Sequence, residues 1–314
     1  MKKNYFLTIL SLLFCFALQA QVTYSGNGNG GFGGTLGGSS LSIDDDGTTM
    51  TFSFSRGGSN LDNVIVIYVD SKAGGFSDTT TFDDDSAADR IAISTRNSGN
   101  GRDPEVTFPA SFTADFAVSI KNDFAGIFEL AGTGAHTYID TADLTPNNDS
   151  ASATHTFTVD FSQLGITSAD KFDYVVTYVS GDCWMSDEVI GDTSSIVPGT
   201  GAGVNPGPDG SITFSDSKSY PNTWTGTTDN DWATATNWTE GVPSITDNVF
   251  IPKVTNQPTA SSAVTVNKAI IKSGASLISQ STFNGTITSE RNIPNTNWYL
   301  ISSPVVGQDI DTFA

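Results

Sequence analysis

Apolar and polar residues alternate along much of the chain between residues 40 and 216, in the pattern that favours β-strands. The stretch TMTFSFS at 49–55 alternates strictly and follows the turn sequence DDDGT, which predicts a strand leaving a hairpin. The stretch NVIVIYVD at 63–70 is apolar on both faces, which predicts a central strand covered from both sides. Turn residues separate the further candidates, so the pattern predicts a β-sandwich of about eight to ten strands. Those candidates lie at 90–94, 105–108, 116–121, 127–130, 136–139, 155–161, 172–179 and 211–216.

Helical periodicity is weak in the same region. No helix of ordinary length is predicted, and DFSQLGI at 160–166 is expected to form a single turn. The run VPGTGAGVNPGPDG at 197–210 interrupts the strand pattern, and it fits either a linker or a long loop before the last strand. The predicted boundary lies near Lys218, so the first module covers residues 21–218.

A different pattern begins at residue 219. The stretch WTGTTDNDWATATNW at 224–238 contains three of the five tryptophans, which suit either a sugar-stacking surface or the closure of a fold that starts there. The apolar residues that follow are spaced as in one coil of a parallel β-solenoid, whose short strands turn at Gly or Asn. Because one coil does not bury its own faces, we expect a chain cut inside a domain, with the first coils over 219–290 and a further β segment over 291–314. The coil positions are Val264, Val266, Ile270 and Leu277.

The N terminus, MKKNYFLTILSLLFCFALQAQ, has the pattern of a secretory signal peptide over residues 1–20. Two lysines precede an apolar run that is too short to span a bilayer, and small residues lead to Ala20, where cleavage is expected. No later stretch is apolar enough to cross a membrane, so we expect the mature chain to be secreted or at the extracellular cell surface. Loss of Cys15 with the signal leaves Cys183 without a partner for an internal disulfide.

Charge narrows the classes of partner. The formal net charge is -20, which disfavours nucleic acid. Aspartate supplies 29 of the 34 acidic residues, and aspartate suits turns and calcium better than helices. The acids that follow the central strand are therefore candidate calcium ligands, with solvated turn acids as the alternative reading, because no EF-hand spacing is present. These acids are Asp70, Asp78, Asp83, Asp84, Asp85 and Asp89.

No catalytic constellation is predicted. His136 and His155 have no second ligand at a metal spacing, and no G-x-S-x-G sequence occurs. Cys183 has no obvious base beside it, and the acids are too numerous for any pair to indicate a glycosidase. GNGNGG at 26–31 matches G-x-G-x-x-G but lacks the strand and helix that a dinucleotide site needs, so it favours a flexible N terminus.

Two segments resemble known families. TWTGTTDNDWATATNWTEGVPSITDNVFIP, followed by VTVNKAIIKSGASL, resembles the opening of β-solenoid regions in large surface proteins of Bacteroidetes-type bacteria. RNIPNTNWYLISSPVVGQDI resembles the block after such regions, which often precedes a type IX secretion sorting domain. The first module, with VIVIYVDSKAGGFSDTTTFDDDSAADRIAIS and FAVSIKNDFAGIFEL, is similar to non-catalytic jelly-roll modules of the glucodextranase C-terminal type. The resemblance implies that the tryptophans close the first coil.

Together these features predict an all-β chain: a jelly-roll-like β-sandwich followed by a short, truncated β-solenoid segment. The expected function is non-catalytic binding or adhesion outside the cell, with a glycan or another surface molecule as partner and calcium as the candidate cofactor. Trp184 and Tyr178 are the candidate ligand-facing aromatics of the first module. Two alternatives stay open: the accessory front end of a polysaccharide-degrading enzyme whose active site lies beyond Ala314, and a purely structural spacer.

Overall fold

The structure is a computed structural model that describes residues 20–23, 31–46, 48–167, 171–201, 204–245 and 247–291. Three segments discussed above lie outside the described residues: the predicted signal peptide up to residue 19, all of GNGNGG but its last glycine, and the block after Arg291. Within the described part, none of the helices has the length and apolar character needed to cross a bilayer.

The described residues are mostly β-strand, with one α-helix, α1 (Ala88–Ser94), and 3-10 turns at Phe161–Leu164 and Ala235–Asn237. The first eleven strands are β1 (Ala20–Thr23), β2 (Ser40–Asp45), β3 (Thr49–Ser55), β4 (Val64–Asp70), β5 (Glu105–Thr107), β6 (Phe116–Lys121), β7 (Phe124–Glu129), β8 (Thr137–Thr141), β9 (Leu144–Thr145), β10 (Thr154–Asp160) and β11 (Phe172–Val179). The others are β12 (Met185–Ile190), β13 (Asp192–Val197), β14 (Ser211–Asp216), β15 (Lys218–Tyr220), β16 (Asn222–Thr223), β17 (Asn248–Ile251), β18 (Thr259–Ala260), β19 (Val264–Ile271), β20 (Ile278–Ser279) and β21 (Phe283–Ser289).

Two antiparallel sheets build the first unit. One has the strand order β1-β2-β3-β10-β9, and the other has the order β12-β11-β4-β6-β7-β8, with β15 also paired to β11. Ile65 and Ile67 of β4 pack with Phe52 in the core that the two sheets share, whereas Val66 and Tyr68 face a second core on the other side. The prediction of a central strand buried on both faces is therefore confirmed.

A third small sheet, β13-β14-β5, lies beside this second core and contributes Ile212 and Phe214 of β14 to it. Because β13 and β14 pair with each other, the glycine- and proline-rich run at 197–210 is a long loop between two strands of one sheet. The single turn expected at 160–166 is present as the 3-10 helix Phe161–Leu164.

The strand predicted at 90–94 is wrong, because these residues lie in α1. RIAIS alternates over only five positions, and so short an apolar run fits a helix as well as a strand. The helix buries Ile93 in the second core and ends at Thr95, whose φ of 48° is left-handed. Tyr68 of β4 donates its hydroxyl hydrogen to the carbonyl oxygen of Ile93 at 2.7 Å, which ties the end of α1 to the sheet.

The second unit is built from parallel strands. β16, β17, β19 and β21 form one parallel sheet, and β18 pairs with β20 in a smaller one. Asn248 lies opposite Lys268 and Lys268 lies opposite Thr286, so corresponding positions recur after 20 and then 18 residues. Thr259 and Ile278 of the smaller sheet are 19 residues apart. The chain therefore returns to the same two sheets at a nearly constant interval.

Three indoles fill the start of this unit. Trp224, Trp232 and Trp238 are 0%, 3% and 4% exposed, and the ring centroid of Trp238 lies 5.0 Å from that of Trp224 and 4.6 Å from that of Trp232. The backbone N–H of Thr239 donates to the carbonyl oxygen of Thr223 at 3.0 Å, so this segment runs beside β16 and covers its outer edge. The three rings are thus interior, as the closure reading expects, and they offer no face to a sugar.

Candidate functional site

The acids predicted to bind calcium are spread over separate turns. Asp70 accepts the backbone N–H of Thr113, and its pKa is raised by burial. Asp78 accepts the backbone and hydroxyl groups of Thr80, and these bonds lower its pKa. Asp83 accepts the N–H of Gly134, Asp85 accepts the N–H and hydroxyl of Ser98, and Asp89 lies in the first turn of α1.

No group of three or more potential metal ligands is brought together anywhere in the described residues. Each of these carboxylates except that of Asp89 accepts a hydrogen bond within the chain, as expected of short acidic side chains in turns. The geometry therefore favours the turn-acid reading of this region. The calcium proposal keeps only the general suitability of carboxylates for a hard cation.

The sixth acid, Asp84, belongs to a buried cluster with Arg90, Ser94 and His136. Its carboxylate forms an ion pair with Arg90 and accepts the backbone N–H of His136 at 2.9 Å. Burial by itself would raise the pKa of Asp84, but hydrogen bonds from Ser86 and Arg90 outweigh burial and the pKa is lowered. The cluster joins α1, the acidic loop before it and the loop that leads into β8.

Ser94 and His136 lie 2.9 Å apart, hydroxyl oxygen to Nε2, which invites comparison with a serine hydrolase triad. The hydrogen bonds run the opposite way. Nδ1 of His136 accepts the backbone N–H of Ala131 at 3.1 Å, so the ring proton is on Nε2 and is donated to Ser94. Ser94 in turn donates to the carbonyl oxygen of Asp84 at 2.9 Å.

A histidine in this tautomer does not accept the proton of the serine, and no carboxylate contacts its ring nitrogens in a printed hydrogen bond among the described residues. Both side chains are also buried, so a substrate does not reach them. Sequence reasoning had no local signal for this cluster, because its members are up to 52 residues apart. Its arrangement suits a structural clamp.

The clamp has a pH dependence. Burial lowers the pKa of His136 to about 4 from its ordinary 6.5, so the folded protein resists the proton that the unfolded chain accepts below pH 6.5. The free energy of unfolding should therefore fall as the pH drops from 6.5 to 4, by up to about 3 kcal/mol from this residue. Urea denaturation at several pH values should show a flatter dependence in this window for His136→Gln, which can keep one acceptor and one donor. Parallel curves for the parent and the variant would contradict this assignment.

The two aromatics proposed to face a ligand have different environments. Tyr178 is 1% exposed, contacts Phe32 ring to ring at 5.7 Å, and accepts the backbone N–H of Asn63, which leaves no ring face for a ligand. Trp184 is half-buried, and the guanidinium carbon of Arg102 lies 5.3 Å from its ring centroid. The structure does not support pairing these two residues in one site.

The lone thiol is enclosed. Cys183 is fully buried at a left-handed turn position with φ 73°, and burial raises its pKa to about 12. A nucleophilic cysteine needs a lowered pKa and access to solvent. Cys183 has neither property.

A polar cluster at the contact between the two units was not anticipated. Asp45 at the end of β2 forms an ion pair with Lys268 of β19 at 2.9 Å and accepts the hydroxyl of Tyr220 at 2.7 Å. Asn248 of β17 donates to the Tyr220 oxygen at 2.7 Å and accepts from Asn267 at 2.8 Å. The Asp45 side chain is only 2% exposed. These bonds, here called the junction cluster, connect the first sheet of the sandwich to two successive parallel strands.

A second contact strengthens the junction. Glu240, which follows the tryptophan segment, accepts the backbone N–H of Ser219 in β15 at 2.7 Å and lies 3.7 Å from Lys218. Burial raises the pKa of Glu240 to about 7. Since β15 pairs with β11 of the sandwich, the second unit contacts both sheets of the first.

A small cleft opens on the second unit beside Trp232, Val242 and Pro243, with a volume of about 200 Å³. Ligand pockets usually measure about 300–1,000 Å³, so this cleft is below the usual size. Trp232 is almost completely buried and contributes only an edge to it.

Comparisons with protein-family models, with curated proteins and with solved structures find no match to this chain. Its function has therefore to be inferred from its own residues. Three features of its chemistry are on hand: acids bound in turns, a serine and histidine wired as a clamp, and a buried polar junction between two β units.

Proposed function

We propose that this protein is an extracellular, cell-surface-associated binding or adhesion module without catalytic chemistry of its own. In this proposal a jelly-roll-like sandwich is presented at the end of a β-solenoid, as in the bacterial surface proteins that the sequence resembles. The secretory signal predicted over residues 1–20 supports export, and the recurrence of parallel strand positions every 18 to 20 residues supports the solenoid.

The junction cluster is the observation that carries the proposal. A flexible linker would let the sandwich move independently, whereas buried hydrogen bonds from Asp45 to Lys268 and Tyr220 fix it on the parallel strands. Stacked repeats need a covered end, and the sandwich together with the tryptophan segment supplies one. Fixed presentation suits a protein that displays a surface to a partner.

A glycan array tests the binding part of the proposal. The full chain without its signal peptide should bind at least one class of glycan, and parallel arrays with calcium and with a chelator would show whether the cation contributes. A flat response under both conditions would overturn the carbohydrate proposal and favour the spacer alternative. Release of reducing ends from any polysaccharide by the purified chain would instead favour an enzyme.

A further inference from the structure

Tyr138, on β8 at the edge of the larger sheet, differs from the other aromatic residues that the structure describes. It is 45% exposed, and each of the others is buried or half-buried. Its ring packs against Phe128 of β7, with centroids 5.6 Å apart and an interplanar angle of 64°. Its hydroxyl is hydrogen-bonded to Thr141. The ring is therefore held in place on one side and open to solvent on another.

Arg90 of α1 lies against the same phenylalanine. Its guanidinium carbon is 4.9 Å from the Phe128 ring centroid, and its Nη1 donates to Asp84 and, at 2.8 Å, to the carbonyl oxygen of His136. The arginine is thus fixed two residues before Tyr138. Its Nε and Nη2 make no hydrogen bond to another described residue, and 17% of its side chain is exposed. These groups are donors with capacity for a ligand.

An acceptor lies on the adjoining loop. One carboxylate oxygen of the exposed Asp83 accepts the N–H of Gly134, four residues before Tyr138, and the other has no printed hydrogen bond among the described residues. A rigid aromatic ring, a fixed donor and a fixed acceptor thus meet beside one exposed loop. Exposed aromatics that combine an apolar face with polar neighbours are typical of recognition surfaces.

From this juxtaposition we propose that Tyr138, Arg90 and Asp83 form a binding site for an uncharged sugar. This inference rests on the proposed function and names its ligand class and its location. A pyranose ring has apolar C–H faces that stack on an aromatic ring and hydroxyls that both donate and accept hydrogen bonds. Asp83, Asp85 and Asp89 surround the site with negative charge, which disfavours uronic acids and sulfated glycans.

The test compares the full chain with two variants of the same residue. Binding to neutral gluco-, xylo- and manno-oligosaccharides and to polygalacturonate would be measured by calorimetry and by retardation in polysaccharide-containing gels. Tyr138→Ala should weaken binding of the neutral sugar at least tenfold, whereas Tyr138→Phe should stay within about threefold of the parent because it keeps the ring. Val197→Ala, which alters an equally exposed apolar residue elsewhere, should leave binding unchanged.

The outcomes separate the site from the function. If the parent binds a neutral sugar and Tyr138→Ala binds it equally well, this site is wrong while the proposed function stands. If the parent binds only polygalacturonate, the ligand class is wrong. If the parent binds no glycan at all, the site and the carbohydrate-binding function both fail. Circular dichroism of Tyr138→Ala, whose side chain is largely outside the core, checks that the fold is retained.

Discussion

Replacing Glu188 by alanine should destabilise the protein by roughly 3–5 kcal/mol, because four backbone donors would lose their common acceptor inside the core. Glu188 lies in β12 and is 0% exposed. One carboxylate oxygen accepts the N–H groups of Phe32 at 2.6 Å and Gly34 at 3.2 Å, and the other accepts those of Leu36 at 2.8 Å and Gly37 at 2.9 Å. Water does not replace these bonds without opening the segment.

Urea denaturation measures the effect, and hydrogen exchange at residues 31–39 locates it. Glu188→Gln should recover part of the loss, since one amide oxygen still accepts two N–H groups while its NH2 faces the other two. Glu105→Ala removes an exposed glutamate from another strand and should stay within about 0.5 kcal/mol of the parent. Equal stability of Glu188→Ala and Glu105→Ala would show that the carboxylate does not hold this segment.

The same contact explains why the glycine-rich stretch is ordered after residue 30. Gly33 and Gly34 have φ values of 96° and 86°, which side chains other than glycine rarely adopt, and they turn the backbone so that successive N–H groups converge on one carboxylate. From the sequence alone, glycine, asparagine and serine in this region indicated flexibility. Composition does not reveal an acceptor more than 150 residues away.

Strands with a strong local pattern were predicted well. The bounds of β3, β6, β11 and β14 agree with the sequence, because alternation or continuous apolar character decides them locally. Strand parity also held information that was not used. Phe172, Tyr174, Val176 and Tyr178 alternate on one face of β11 and enter the same core, so Tyr178 could have been placed inside from its neighbours.

The residues that hold the molecule together were harder to predict, because their partners are remote in sequence. Glu188 lies in MSDEVI, where all six residues are buried, and Lys268 lies in the largely apolar run VTVNKAII. A charged residue inside such a strand is the available signal, since it has to find a polar partner when it is buried. The pattern indicates that a partner exists, and only the folded structure identifies Asp45, 223 residues away.

Replacing Asp45 by alanine should destabilise the junction by about 3–5 kcal/mol, as expected when one partner of a buried ion pair is removed. Lys268 would lose its carboxylate, and the Tyr220 hydroxyl would lose its acceptor. Because Asp45 belongs to the sandwich and Lys268 to the parallel sheet, the loss should also separate the unfolding of the two units. The parent should unfold in one transition.

Two probes followed in urea distinguish these cases. Three of the five tryptophans lie at 224, 232 and 238, so fluorescence reports mainly on the second unit, while far-ultraviolet circular dichroism reports on both. The two transitions should coincide in the parent and diverge in Asp45→Ala, with fluorescence changing at lower urea. Glu129→Ala breaks the exposed ion pair with Lys72, which is worth about 0–1 kcal/mol, and should keep the transitions coincident. If Asp45→Ala behaves like Glu129→Ala, the sandwich is not fixed by this cluster, and presentation on a rigid stack loses its physical basis.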